Sequence, residues 1–125
     1  MIRRCNPEHG GISPQLLSDN HISAMVGVGN IYFTSGLVAY QGGDMATQLG
    51  IVRDSLAALL ATEGMTMANV VTTISYTTDM PALLEHGHVL FDAFDEGHPT
   101  STYIEVKGLA MPELLVEVVV TAAKA

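Results

Sequence analysis

The spacing of hydrophobic positions changes along the first half of the chain. The first part predicts strands and the next predicts a helix. Residues 22–36 hold two short apolar runs around Gly29 and Asn30. This pair readily takes the positive φ angles of a tight turn, so the segment predicts a β-hairpin. A helix that Asp44 caps and Gly64 ends is predicted next, because apolar residues recur at helical spacing at Leu49, Val52, Leu56 and Leu59.

The second half predicts a strand, a helix and two further strands. Residues 69–77 are rich in the β-branched side chains that strands prefer. Asp79 and Pro81 suit the start of a helix, because Asp can cap it and Pro lacks an N–H that the first turn leaves unpaired. Its buried stripe is predicted to hold Leu83, Leu84, Gly87, Leu90, Phe91 and Phe94, with Gly97 and Pro99 ending it. Residues 98–120 then predict two strands around a Pro-containing turn.

The last two strands differ in how their faces are composed. Side chains alternate along a strand, so the first strand should have a polar face of Ser101, Tyr103, Glu105 and Lys107 and a core face of Thr102, Ile104 and Val106. The second strand, residues 116–120, is apolar on both faces except at Glu117. Helices cover only one face of a sheet, so a partner sheet is expected on the other, and the protein is expected to be an oligomer.

The order of elements predicts a single α+β domain over residues 1–125, with two helices on one face of one sheet. A chain of this length hides roughly two-thirds of its unfolded surface, which is enough for a core. Residues 1–20 contain Pro7, Gly10, Gly11 and Pro14 and are interpreted as a loop.

Charge and hydropathy limit the classes of protein to which this chain can belong. Thirteen acidic residues against five basic ones give a net charge of -8, which argues against nucleic-acid binding because that requires clustered Lys and Arg. No run approaches the ~20 apolar residues of a membrane span, and the N-terminus lacks a signal peptide. A cytoplasmic protein is therefore expected. The only cysteine, Cys5, cannot form an internal disulfide.

Three strings resemble the RidA (YjgF-type) family in order and spacing. They are VGNIYFTSG, NVVTTISYTTDM and the closing segment HPTSTYIEVKGLAMPELLVEVVV. The resemblance covers residues 22–121 and implies a mixed sheet with two helices on one face (chorismate-mutase-like or YjgF-like). It also implies that three such domains close into a trimeric barrel, with pockets for a small molecule at the subunit interfaces.

The resemblance implies imine and enamine deamination, but this chain departs from the pattern that supports it. In the family an arginine holds the substrate carboxylate and a glutamate handles water. Ser101 occupies the arginine position, and Val119 occupies the glutamate position. A neutral hydroxyl cannot replace a guanidinium fork. Loss of the bidentate contact between arginine and carboxylate should cost roughly 2 to 4 kcal/mol of binding free energy.

Further pocket positions also differ from the family. Ile22 stands at a tyrosine position, Gly87 at an asparagine position and Leu37 at a glutamine position, whereas Ser35 and Gly36 match. A neutral, more apolar ligand is therefore expected, oriented by polar groups. The predicted binding residues are Ile22, Ser35, Gly36, Leu37, Gly87, Ser101, Tyr103 and Val119.

Catalytic candidates are few, and each has a structural alternative. Tyr103 either touches the ligand or packs at a subunit interface. His98 is a candidate acid or base beside the pocket segment, the alternative being a solvated loop histidine. Glu105 and Lys107 are expected to form an ion pair. His86 and His88 point about 200° apart on a helix, so no metal site is predicted, and no cofactor is expected.

Three functions remain open from the sequence. The first is a divergent RidA-like enzyme acting on a small neutral imine, enamine or similarly reactive metabolite, and not a standard 2-iminobutanoate or 2-iminopropanoate deaminase. The second is a non-catalytic metabolite-binding trimer, and the third is a structural trimer without a ligand. The sequence leaves open the substrate and the role of Glu117, which shares a strand face with Val119.

Overall fold

A computed structural model describes all 125 residues and contains one six-stranded sheet with the strand order β1-β2-β3-β6-β4-β5. All neighbouring strands are antiparallel except β4 and β5, which are parallel. The prediction of an α+β fold with a mixed sheet is therefore confirmed. The strands are β1 (Ile2–Cys5), β2 (Met25–Val28), β3 (Ile31–Thr34), β4 (Val70–Thr77), β5 (Thr100–Glu105) and β6 (Val116–Ala123), and the helices are α1 (Pro14–Asp19), α2 (Met45–Ala61), α3 (Met80–His86) and α4 (His88–Phe91).

The local signals lie where the sequence predicted them. Gly29 has a positive φ of 60° in the turn between β2 and β3. The Asp44 carboxylate accepts a hydrogen bond from the backbone N–H of Thr47 at 2.8 Å, which caps α2 and lowers the pKa of Asp44. Asp79 caps α3 in the same way through the N–H of Ala82. The second predicted helix is divided at Gly87 into α3 and α4, and a 3-10 turn over 92–94 follows.

The helices cover one face of the sheet and enclose the core. Alternate residues of β6 are buried beneath them, namely Val116, Val118, Val120 and Ala122. The α2 residues Leu49, Val52, Leu56 and Leu59 are completely buried against the same cluster. No helix is both long enough and apolar enough to cross a membrane.

The other face of the sheet carries no helix and combines apolar residues with Arg4, Glu117 and several threonines. It consists of the side chains that alternate with the buried ones, including Val28 and Ile31 of the hairpin, Val119 of β6, Ile74 of β4 and Ile104 of β5. Phe33 at its centre is 48% exposed. The expectation that helices leave one face of β6 uncovered by the rest of the chain is therefore confirmed.

The interpretation of residues 1–20 as a loop is wrong. Ile2–Cys5 form the edge strand β1, which pairs antiparallel with β2, and Pro14–Asp19 form the helix α1. The hydroxyl of Ser13 accepts from the backbone N–H of Leu16 at 3.1 Å, and Pro14 occupies the first turn. This local start signal is a common one. The β1 pairing depends on partners 20 to 26 residues away, which no local pattern reveals.

The division of β5 into a polar face and a core face is also wrong. All six of its residues are exposed, because β5 is an edge strand and nothing in the chain covers Thr102 or Ile104. Glu105 does not form the expected ion pair with Lys107. Its carboxylate instead accepts a hydrogen bond from the backbone N–H of Met80, at the start of α3, at 3.2 Å.

One buried polar side chain joins α2 to the segment before β6. Gln48 is completely buried, and its amide donates to the carbonyls of Gly43 and Glu113 at 2.9 and 2.8 Å. Its carbonyl accepts from the N–H of Leu115 at 2.9 Å. Every polar atom of Gln48 is therefore satisfied, as a buried amide requires.

Replacing Gln48 by Met should lower the free energy of unfolding by about 1 to 3 kcal/mol, because three backbone groups lose their partner while the volume stays similar. Denaturant unfolding at a fixed protein concentration measures the change. The control Gln15→Met removes an exposed bond to Asp19 and should change stability by less than about 0.5 kcal/mol. Equal effects of the two substitutions would contradict the role given to Gln48.

Candidate functional site

A narrow cavity lies between the N-terminal segment and the chain that leaves β3. It has about 30 Å³ of space for the centres of water-sized molecules, which is room for about two waters. It brings together the predicted residues Ile22, Ser35, Gly36 and Leu37. Its other lining residues are His9, Ile12, Leu16, Leu17, Asn20, Ala24 and Tyr40.

A tight turn holds His9 in the wall of this cavity. The backbone groups of His9 and Ile12 bond to each other at 3.1 and 2.7 Å, while Gly10 and Gly11 between them have φ angles of 54° and 78°. Positive φ at both central residues favours glycine. His9 is only 6% exposed, and its Nδ1 lies 2.9 Å from the carbonyl oxygen of Pro7.

The segment from Ser35 to Leu37 is fixed against β6. Leu37 and Val118 exchange backbone hydrogen bonds of 2.8 and 3.0 Å. The hydroxyl of Ser35 donates to the carbonyl of Ser23 at 2.7 Å, so its oxygen can only accept a bond from a ligand. The Glu117 side chain packs directly on Gly36, where an added Cβ would lie 2.7 Å from the Glu117 Cγ. Glu117 therefore stands beside the cavity segment.

A second group of predicted residues lies along the edge strand β5. His98, Ser101 and Tyr103 line a shallow cavity together with Pro99, Phe91 and Phe94. The rings of Tyr103 and Phe91 have their centroids 5.6 Å apart, and Tyr103 is 40% exposed. The arrangement places two hydroxyls and an imidazole around an aromatic floor.

Two predicted residues lie outside these cavities. Gly87 is buried beneath Phe91, where an added Cβ would lie 2.9 Å from the Leu83 carbonyl oxygen and 3.3 Å from the Phe91 ring. Gly87 therefore leaves room for the ring of Phe91, which lines the second cavity. Val119 lies half-buried on the helix-free face of β6, opposite Ile74 of β4.

The chain does not bring the two groups together. β6 and β4 separate β3 from β5, so the groups are roughly 14 Å apart across the sheet at the usual strand spacing. A third, more open depression lies beside α1 and is lined by Asn6, Pro14, Leu17, Ser18, His21, Ile22 and Ser23. None of the three cavities is lined by a lysine or an arginine.

The remaining titratable residues form no second site. His86 lies 3.7 Å from the Glu85 carboxylate, and no three His, Cys, Asp or Glu side chains come together as a metal would require. Burial raises the pKa of the Cys5 thiol, and the negative charge of Glu63 adds to the effect. Cys5 is therefore a poor nucleophile at neutral pH.

Sequence reasoning missed His9 and Tyr40. His9 lies far in sequence from the other site residues. The signal that could have placed it is the string His9-Gly10-Gly11-Ile12, since a Gly-Gly pair between extended residues is typical of a two-residue turn. The burial of His9 in the cavity depends on the tertiary fold and has no local signal.

Gly36→Ala should lower the free energy of unfolding by about 1 to 3 kcal/mol, because the new methyl group displaces the Glu117 side chain. In a Glu117→Ala background the same substitution should cost clearly less, which a double-mutant cycle of unfolding at one protein concentration measures. The control is Gly108→Ala, whose Cβ would meet nothing within 4 Å. Equal costs in the two backgrounds would show that Gly36 and Glu117 do not interact.

Solved structures share this fold over nearly the whole chain. A member of the YjgF/YER057c/UK114 family from Mycobacterium tuberculosis is 27% identical, with a TM-score of 0.84 over 99% of this chain and 100% of that one. A YjgF family protein from Neisseria meningitidis is 28% identical, with a TM-score of 0.80 over 100% and 96%. RidA from an Antarctic Psychrobacter, at 20% identity and a TM-score of 0.75 over 82% and 87%, shows likeness of fold alone.

The family comparison covers the same elements. A comparison with curated protein sequences gave no match. The family described as endoribonuclease L-PSP matches residues 14–124, from α1 to the end of β6. Together with the two structures above, this match shows that the chain belongs to the YjgF/RidA family.

Proposed function

We propose that this protein is a divergent RidA-like enzyme that acts on small neutral imines, enamines or similarly reactive metabolites in pockets between the subunits of a homotrimer. The observation that carries the proposal is that no lysine or arginine lines the two cavities that hold most of the predicted site residues. It is not proposed to be a standard 2-iminobutanoate or 2-iminopropanoate deaminase.

The exposed face of the sheet supports sites shared between subunits. Phe33, Val119 and Ile104 are apolar residues of the surface that no helix covers. Burying such a surface against a second sheet is favourable by roughly 25 cal/mol per Å² of apolar area. Docking of β5 from one subunit near the Ser35–Leu37 segment of another would join two groups that a single chain keeps apart.

The electrostatics support a neutral ligand. A substrate carboxylate needs a charge-assisted partner when it is removed from water. The position at which the family has its arginine is Ser101, which can donate a single hydrogen bond. The Val119 side chain adds apolar surface where the family has a glutamate. These residues favour an imine or enamine without a carboxylate.

The same charge balance disfavours RNA as the substrate despite the description of the family as an endoribonuclease. The chain has a net charge of -8 and only five basic residues. Arg3 and Lys124 both lie over the ring of Tyr32, while Arg53 is paired with Asp54 and the other two are Arg4 and Lys107. Phosphate neutralisation requires such residues to be clustered.

The site residues take separate roles in this proposal. Ile22, Leu37 and Val119 provide the apolar walls, and Ser101 and Tyr103 orient the ligand by hydrogen bonds. Tyr103 and His98 are the candidates for proton transfer on the β5 side, since both line the same cavity.

A non-catalytic metabolite-binding trimer is the alternative. Ser35 favours it, because the one donor of its hydroxyl is already bonded to Ser23. Glu117 lies two residues before Val119, which occupies the position of the family glutamate, and so its carboxylate is displaced from that position. Ligand-induced thermal stabilisation without turnover would support this alternative.

The protein should hydrolyse neutral ketimines, generated in situ by an amine oxidase, at least tenfold faster than 2-iminobutanoate, with ammonia release as the measurement. The double variant Ser101→Arg/Val119→Glu should reverse this preference. A restored bidentate contact is worth roughly 2 to 4 kcal/mol, or about two to three powers of ten in affinity for a carboxylate.

Ala57→Arg is the control for added charge, because Ala57 is exposed on α2 and lines no cavity. It should leave the preference for neutral imines unchanged. Rapid ammonia release from 2-iminobutanoate by the unmodified protein would contradict the proposed neutral ligand.

A further inference from the structure

His9 lines the first cavity, and one of its ring nitrogens has no hydrogen-bond partner in the fold. His9 is 94% buried, since it is only 6% exposed, and its single hydrogen bond joins Nδ1 to the carbonyl oxygen of Pro7 at 2.9 Å. A carbonyl oxygen only accepts, so Nδ1 carries the proton. In the neutral ring Nε2 is therefore the nitrogen with a free lone pair.

The surroundings fix the ring rigidly. The turn that carries His9 is closed by the paired backbone bonds between His9 and Ile12, and the Gln41 amide donates to the Gly10 carbonyl at 3.2 Å. A carbonyl that holds one ring nitrogen and leaves the other free is the usual way of orienting a functional histidine. The turn therefore sets both the tautomer and the direction of the ring.

The cavity has the size and polarity to hold water beside His9. Its volume suits about two water molecules, and an ordered water needs two to four polar partners. Besides His9, the lining includes the polar residues Ser35, Tyr40 and Asn20. The Asn20 amide nitrogen is bonded to the Leu16 carbonyl at 2.8 Å, so its oxygen remains available.

We infer that His9 Nε2 is the general base that activates a water in this cavity, in place of the carboxylate that Val119 replaces. This inference rests on the proposed hydrolysis of neutral imines. It names His9, on the N-terminal segment, as a catalytic residue. The reacting imine lies at the mouth of the cavity, because the cavity itself is too small for a metabolite.

The reaction requires no further reactant. Nε2 takes a proton from water as the water oxygen bonds to the imine carbon. The π pair of the C=N bond moves onto nitrogen, which receives the proton from Nε2 and gives a carbinolamine. Nε2 then removes the hydroxyl proton and delivers it to the amine nitrogen. The C–N bond breaks as the C=O bond forms, ammonia leaves and the imidazole is regenerated.

Two substitutions of His9 distinguish the loss of a catalytic base from the loss of folding. His9→Asn keeps an N–H donor near the position of Nδ1 for the Pro7 carbonyl, and His9→Gln keeps a polar group near the position of Nε2. Both should lower kcat for a neutral ketimine at least about a hundredfold while KM changes less than about threefold, because general-base catalysis contributes 10²–10⁴. The control His88→Asn changes an exposed histidine of α4 that lines no cavity and should retain full activity.

A spectroscopic measurement tests His9 even if both variants lose stability. The ¹⁵N chemical shifts of the unmodified protein should show His9 in the Nδ1–H tautomer. An Nε2–H tautomer, or full kcat in folded His9→Asn and His9→Gln, would overturn the inference while leaving the proposed function intact. Failure of the unmodified protein to hydrolyse any neutral imine would overturn both.

Discussion

The structure depends on the central strand β6, whose helix-covered face is apolar throughout and whose other face carries Val119 between Glu117 and Thr121. β6 lies between β3 and β4, and its Val116, Val118 and Val120 are buried under the helices. Val119 points to the opposite face, where the chain supplies no covering element. Apolar surface on a central strand is stable only when it is shielded from water. The proposed homotrimer would supply that shield.

The candidate site follows from the same constraint. The pocket residues divide into a group around Ser35–Leu37 and a group on β5, and two strands keep them apart within one chain. An interface that covers the apolar face would bring the groups of different subunits together. Without a lysine or an arginine at either group, that shared pocket suits an uncharged ligand. In the proposed function the chemistry relies on hydroxyls and imidazoles.

Local signals predicted much of the fold, and long-range contacts account for what they missed. The Gly29-Asn30 turn and the Asp44 cap act within a few residues, so the sequence alone places the hairpin and α2. β1 exists only through pairing with β2, and the exposure of β5 depends on what lies beside the sheet. In the site, Ser35 and Gly36 match the family motif, whereas His9 enters the cavity through a turn whose packing is decided by the tertiary structure.

The mass of the particle in solution tests the central claim most directly. Size-exclusion chromatography with light scattering at micromolar concentration should give about three times the chain mass of 13.2 kDa. Val119→Asp should reduce that mass, because a carboxylate on the apolar face would have to be buried without a partner. A particle of 13.2 kDa for the unmodified protein would contradict the account. The helix-free face would then be stable in water, and the two groups of site residues would remain apart.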